Sequence, residues 1–382
     1  MEPRRFANPY RFGSPVAGDH FADRKQELTR LAAVMGSGQN LILIAPRRYG
    51  KSSLLLAAME RTRRAGGRTG RVNLIKCSTP EEVAGAILLG AVRGPWGWLR
   101  GRTAQLAEHL GRVRIGVEIQ TDARTGSVSG VSFAPSLRPV DWRGVILDVL
   151  VALGRLASDS HPVSLVLDEF QRAYEIDPGI ADVMKAAVDD APRLSLIFSG
   201  SRRHLMEQMV QDPDHGPLYN VGAKLYLGRI PVADFSRFLR SRAEAGGKRL
   251  SPQVAERIYQ LALGVPNDVQ LLAFWAFEQP GEEITEAALA AALRSAIADQ
   301  RQEYQAVWDG LASSQQRLLK LLAERPLGSL RGVEALQRIA LSPTAVAKAG
   351  TVLERSDLIR RGEAAWELTS GLMAEWLRGD YD

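Results

Sequence analysis

The chain has 382 residues, 45% of them hydrophobic and 24% charged. That is ordinary globular composition and length enough for two or three domains. Its single cysteine, Cys77, excludes an internal disulfide and suits a reducing cytoplasm. No apolar run reaches the ~18 residues of a membrane span. The basic stretch Met1 to Tyr10 lacks the apolar centre of a signal peptide, so neither membrane insertion nor secretion is expected.

The net charge of +6 is unevenly spread. Residues 1–115 hold 20 Lys and Arg against 8 Asp and Glu, residues 116–299 hold 18 against 24, and residues 300–382 hold 11 against 11. A basic N-terminal third attracts polyanions. Two readings stand: a surface for duplex DNA or an acidic partner, or a solvated surface whose field favours a nucleotide.

Leu28, Leu31, Ala32 and Met35 share one face, which predicts an amphipathic helix over 24–35. The run Asn40 to Ala45 reads as a buried parallel strand, and a helix is expected from Lys51 to Arg64, its arginine-rich end suiting the helix dipole. A second strand is expected over 71–76 and a helix over 80–92. The segment 94–136 breaks this rhythm. It carries Trp96 and Trp98, a short helix near 103–111, and the alternation Val113, Ile115, Val117, Ile119, then Val128, Val131, Phe133 beyond a turn at Asp122 to Gly126, which predicts an inserted β-hairpin. A helix at 141–157 and strands at 164–168, 194–199 and 224–227 resume the pattern. Strands alternating with helices predict an α/β fold, a parallel sheet covered on both faces.

Between the first strand and its helix lies Ala45-Pro46-Arg47-Arg48-Tyr49-Gly50-Lys51-Ser52, followed by Ser53. This is the spacing of a P-loop, with Ala45 in place of the first glycine. Loop and helix N–H groups would cradle phosphates, Lys51 would reach the β- and γ-phosphates, and Ser52 would ligate Mg²⁺. Ala45 is tolerable there at negative φ. The apolar strand from Val163 ends in Asp168-Glu169, which reads as a Walker B element: Asp168 on the metal, directly or through water, Glu169 as general base. The strand Leu196-Ile197-Phe198 ends in Ser199-Gly200-Ser201. Ser199 or Ser201 could face the γ-phosphate, or Ser201 could simply cap the next helix. Arg202 and Arg203 fit a phosphate sensor, a cation acting across a subunit contact, or ordinary surface cations.

From Val232 to Ile297 the pattern is purely helical, and Gly264-Val265-Pro266 punctuates it. Helices are then expected at 313–323, 331–339 and 343–355, followed by two short strands around Gly362 and a last helix at 370–378. That is winged-helix order, with Ser342-Pro343 as a capped entry into its third helix. Thr344, Lys348, Thr351 and Arg355 are the donors of that helix, and Arg360 and Arg361 lie on the wing. The module is charge-neutral, which weakens the electrostatic drive for DNA and favours protein contact or clamping of the helical segment.

Taken together these elements resemble the archaeal-type ATPase family of the STAND class of P-loop NTPases, distantly similar to origin-recognition ATPases. The resemblance spans nearly the whole chain. It includes Pro9-Tyr10, Gly13 to Val16, Phe21 to Glu27, the loop Pro46 to Ser52, Asp168-Glu169, Gly200-Ser201 and Gly264-Val265-Pro266. Leu263 stands where the family doubles the glycine. The resemblance implies ATP rather than GTP as nucleotide, Mg²⁺ as cofactor, and Pro266 near the base. It implies a P-loop ATPase domain over 1–230, a helical lid over 231–299 and a winged helix over 300–382. Three functions follow as expectations: an ATP-hydrolysing switch, an ATP-gated DNA-binding protein, or an ATP-dependent scaffold for a protein partner or for further copies of the chain. The five histidines, His20, His109, His161, His204 and His215, have no metal-ligand spacing.

Overall fold

The structure, a computed structural model, describes residues 8–22, 24–93, 117–121, 128–133, 141–211, 216–362 and 364–379. These fall into two compact units. The sheet unit takes in Lys25–Pro46 and Leu54–Leu227; the helical unit takes in the described parts of Met1–Arg24, Arg47–Ser53 and Gly228–Asp382.

The sheet unit alternates strands and helices: α1 (Lys25–Met35), β1 (Leu41–Ile44), α2 (Lys51–Arg64, its first turn grouped with the other unit), β2 (Arg68–Asn73), α3 (Pro80–Arg93), β3 (Val117–Thr121), β4 (Val128–Phe133), α4 (Trp142–Arg155), β5 (Val163–Asp168), α5 (Phe170–Ile176), α6 (Ile180–Asp190), β6 (Leu194–Gly200), α7 (Arg203–Gln211) and β7 (Ala223–Tyr226). Five strands form one parallel sheet in the order β2-β5-β6-β1-β7. Every residue of β1, β5 and β6 is buried, as parallel strands covered on both faces must be. Aliphatic side chains of α3, α4 and α6 complete the core beneath them.

Two local outcomes depart from the pattern reading. The second strand begins at Arg68, not 71, because Arg68 N–H already bonds Pro162 O (2.7 Å) where β5 starts. Its polar Thr69 is tolerated in the interior because Arg63 Nε donates to its hydroxyl (2.8 Å). The strand ends early because Asn73 Oδ1 takes Ile75 N–H (3.0 Å) and turns the chain out of the sheet. In the insertion, β3 and β4 pair antiparallel, with Val117 opposite Phe133 and Ile119 opposite Val131. The expected turn at 122–126, the helix near 103–111, and Trp96, Trp98, Val113, Ile115, His109 and His215 lie outside the described residues.

The helical unit contains α8 (Val232–Ala245), β8 (Arg249–Leu250), α9 (Pro252–Leu261), α10 (Pro266–Glu278), β9 (Glu283–Ile284), α11 (Glu286–Asp309), α12 (Ser313–Glu324), α13 (Val333–Ile339), α14 (Pro343–Arg355), β10 (Ile359–Arg361), β11 (Trp366–Leu368) and α15 (Gly371–Arg378). The stretch expected to be purely helical includes a two-residue parallel ribbon, β8 with β9. A single helix, α11, crosses the expected boundary at 299 without a break. Caps set several helix starts. Ser251, Thr285, Ser342 and Ser370 each accept the N–H three residues on, and proline opens α9, α10 and α14. The C-terminal order is helix, helix, helix, hairpin, helix, with β10 and β11 paired antiparallel. Tyr10 is fully buried in this unit, its hydroxyl donating to Leu239 O (2.7 Å). Among the described residues no helix is long and apolar enough to cross a membrane.

Ser370 has two duties, capping α15 and donating to the buried Asp268 carboxylate (2.8 Å). Replacing it with alanine removes the cap and one donor to a buried acid. Ser370→Ala should therefore cost about 1–2 kcal/mol, read as a lower urea midpoint with unchanged slope. Ser342→Ala removes a cap alone and should cost about half as much.

Candidate functional site

β1 runs straight into the loop Ala45 to Gly50, and α2 begins at Lys51. Ala45 is buried, its N–H bonded to Gly200 O (3.3 Å), and it is absent from the positive-φ residues, so its methyl is accommodated. Arg48 (φ 68°) and Gly50 (φ 80°) are left-handed. Backbone that alternates hand in this way points successive N–H groups inward and forms an anion-binding nest. A Cβ built on Gly50 meets nothing within 4 Å, which leaves open space over that peptide. The loop, with the N-terminus of a 14-residue helix, fits a polyphosphate.

The remaining loop side chains are held within the helical unit. Arg47, mostly exposed, lies 3.9 Å from Asp357. Arg48 pairs with Glu303 (2.9 Å) and with Asp268 (3.7 Å), and its carbonyl accepts from Asn267 N–H (3.3 Å). Tyr49 is buried. The Arg360 guanidinium donates to its hydroxyl and lies 5.2 Å from its ring centroid, a cation–π contact. Arg24 donates to Tyr49 O (3.2 Å) and Gly228 O (2.9 Å). Ser53 accepts Val16 N–H (3.0 Å) through its hydroxyl. Asp268 has no exposed surface; burial pushes its carboxyl above the usual range, opposed by Arg48 and by hydrogen bonds from Ser370 and Asn267. Pro266 opens α10, one residue before Asn267, whose side chain accepts Gly13 N–H (2.9 Å). Leu263 and Gly264 are both left-handed there (φ 49° and 63°).

At the carboxyl edge of the sheet, β1, β6 and β5 end side by side, with Ile44 beside Gly200 and Ser199 beside Asp168. Asp168 is 1% exposed. Its Oδ1 accepts from the Ser199 hydroxyl (2.6 Å) and from Glu169 N–H (3.1 Å); its Oδ2 accepts from Arg71 Nη2 (2.5 Å). Glu169 adopts φ 58°, ψ 43°. A non-glycine residue there costs about 1–2 kcal/mol, and such strain gathers at functional sites. The kink turns strand into helix with no intervening loop. Glu169 Oε2 then accepts from Gln171 Nε2 (2.6 Å) and the Ser201 hydroxyl (2.8 Å).

The two serines of the β6 end thus divide their work: Ser199 bonds Asp168 and Ser201 bonds Glu169. Ser201 acts through a side chain, beyond simple capping. Arg202 pairs with Glu175, and Arg203 with Glu207 (2.7 Å), the pattern of surface cations. Among the partners that escaped sequence reasoning are Arg71, Gln171, Asp268, Glu303 and Asp357. Arg71 is two residues before Asn73, which pairs with Asp168 across β2 and β5; a correct register for β2 would have found it. Gln171 lies one residue into α5, and only the left-handed kink at Glu169 folds it back.

Ser52, in the helical unit, and Asp168, in the sheet unit, each carry an oxygen donor of the kind that Mg²⁺, a hard cation that takes few protein ligands, accepts. No cluster of three or more His, Cys, Asp or Glu that could hold a metal occurs among the described residues. Cys77 is buried, and burial pushes its thiol up, away from nucleophilic chemistry.

No protein-family model and no curated protein matches the chain. Solved structures do. A Walker-type ATPase of Pyrococcus abyssi shares 15% identity at a TM-score of 0.64, covering 97% of this chain and 99% of its own. The ORC2 protein of Aeropyrum pernix, described in ADPNP and ADP complexes, shares 17% at a TM-score of 0.55, covering 98% and 96%. Parallel sheet, flanking helices and loop, together with these likenesses, give the chain the fold of a P-loop NTPase.

Proposed function

We propose that the protein is a Mg²⁺-dependent, ATP-binding and ATP-hydrolysing switch, in which nucleotide state governs the contacts of a helical lid (231–299) and a winged helix (300–382) carried on a P-loop domain (1–230). One observation carries it. The side chains of the phosphate loop itself, Arg47, Arg48 and Tyr49, bond Asp357, Asp268, Glu303 and Arg360, all beyond residue 230. A loop that must reshape around phosphate is therefore tied, side chain by side chain, to the elements that would respond.

In this reading the loop 45–53, through the N–H groups of residues 47–53, and Lys51 bind the phosphates, and Ser52 and Asp168 hold the metal. Glu169 takes the proton of the attacking water. Ser201 and Gln171 aim its carboxylate. Pro266 lies at the base. Mg²⁺, when bound, neutralises charge on the transferring phosphoryl group. Left-handed, strained backbone at Glu169 supports a catalytic role, since a pure binder has no need of it. A STAND-like assignment rests on the sequence resemblance, as does action with a protein partner or as a homo-oligomer.

The charge pattern speaks against an ATP-gated DNA binder. Arg47, Arg48, Arg63, Arg64 and Arg71, all in the basic N-terminal third, are engaged with carboxylates of the fold. Fewer cations remain for phosphodiesters.

The test measures ATP turnover with and without duplex DNA at low salt, and amide exchange over 357–378 with no nucleotide, ADP or a non-hydrolysable ATP analogue. We expect turnover indifferent to DNA and an exchange pattern that changes with nucleotide. Identical exchange in all three states would sink the switch. DNA-stimulated turnover would favour the DNA-binding alternative.

A further inference from the structure

Asp168 has a partner that a metal-binding carboxylate does not need. Arg71 reaches across from β2 to place a guanidinium nitrogen 2.5 Å from Asp168 Oδ2. The pair is built into the sheet: β2 and β5 are neighbours, Arg71 is opposite Val166, and Asn73 is opposite Asp168. Ser199 and Glu169 N–H take the other oxygen. Both carboxylate oxygens are thus engaged by protein donors, one of them a full positive charge. Asp168 is almost wholly buried while Arg71 keeps a quarter of its side chain exposed. The arginine can therefore swing towards solvent; the aspartate cannot.

An ionised carboxylate buried at a sheet edge needs a counter-charge. Without a divalent cation, Arg71 supplies such a counter-charge. A dication at the same carboxylate meets the guanidinium as a like charge at close range, where repulsion is strong and little screened. The two cations compete for one group. Ser199 is neutral and imposes no such competition.

We propose that Arg71 is a resident counter-ion of Asp168 that Mg²⁺ must displace, and that it sets the metal concentration at which nucleotide binds. The proposal rests on the ATP·Mg²⁺ reading of the site. It assigns Arg71 a positioning role: it holds Asp168 in one rotamer before the metal arrives and raises the metal requirement of the site.

The experiment follows binding of a fluorescent, non-hydrolysable ATP analogue to the full chain as MgCl₂ is titrated. For Arg71→Gln the Mg²⁺ midpoint should fall by at least about fivefold, the effect of removing one like charge beside a dication. Affinity for the analogue in EDTA should change by less than about twofold. Ser199→Ala, which removes a neutral partner of the same carboxylate, should leave the midpoint within about twofold of wild type. Thermal unfolding gives a second readout. Arg71→Gln should melt below wild type in EDTA and regain more on adding Mg²⁺ and nucleotide, because the metal restores the missing counter-charge. A merely structural arginine would lower the melting temperature equally in both conditions. Should Arg71→Gln fail to fold, Arg71→Lys carries the test: its shorter, point-charge side chain holds Asp168 less well, and the midpoint should shift the same way by a smaller factor. A midpoint unchanged or raised in a variant that still binds nucleotide overturns the role of Arg71 alone. Wild-type protein that binds no nucleotide at any Mg²⁺ concentration overturns the underlying reading together with it.

Discussion

Glu169→Gln should leave nucleotide binding within about twofold of wild type and lower ATP turnover by about 10²–10⁴, the usual contribution of a positioned general base. That is a loss of about 2.7–5.5 kcal/mol of transition-state stabilisation. The substitution isolates the charge. Glutamine has nearly the same shape and the same backbone cost at φ 58°, and its amide oxygen can still accept from Gln171 and Ser201, which lie 2.6 Å and 2.8 Å from the carboxylate oxygen. The loop contacts of Arg48 and Tyr49 do not involve residue 169, so binding has no reason to change. Steady-state turnover and equilibrium binding of a labelled analogue, measured on the same preparation, separate the two effects. Turnover within about threefold of wild type would remove Glu169 from the base role, since even a weak general base contributes about a hundredfold.

Why was this residue visible in the sequence, and its neighbours not? Asp168 and Glu169 end a six-residue buried strand, and a run of aliphatics stopping at two acids is a local signal. The loop Ala45 to Ser52 is local as well: residue types at fixed spacing between a strand and a helix. The order of elements followed from alternating periodicities, and the start of α14 from its Ser342-Pro343 cap. Arg71 and Asp268 act over long sequence separations. Arg71 meets an acid 97 residues away, and only strand register brings them together. Asp268 in isolation is one more acid in the first turn of a helix, a place that suits any carboxylate. Its burial and its contacts with Arg48 and Ser370 exist only once α10 and α15 are packed in the helical unit. The shift of β2 has the same origin. Thr69 reads as an unsuitable core residue until Arg63 satisfies its hydroxyl. Pattern reading weighs residues one at a time, whereas these sites are made by pairs.

The fold itself depends most on side chains that the chemistry never touches. Phe198, at the centre of β6, is fully buried. It lies beside Leu167 of β5 and Ile42 of β1 in the ladder and meets the Phe170 ring edge-on at 5.0 Å. Phe170 is the first residue of α5, directly after the strained Glu169. The ring pair therefore anchors the helix that follows the left-handed kink. Such a pair contributes about 0.5–1.5 kcal/mol beyond area burial, similar in size to the cost of the kink. Phe198→Ala should cost about 3–5 kcal/mol through the lost transfer energy and the cavity left behind, a large part of the ~5–15 kcal/mol that holds a typical domain. The sheet unit should show a markedly lower urea midpoint, read by exchange of the β5 and β6 amides. The helical unit, with its own core, should keep its midpoint. Turnover should fall at urea concentrations where β5 and β6 are still protected, because the kink at Glu169 loses its anchor before the sheet melts. Turnover that tracks sheet protection at every urea concentration would show that the kink at Glu169 holds without the ring pair.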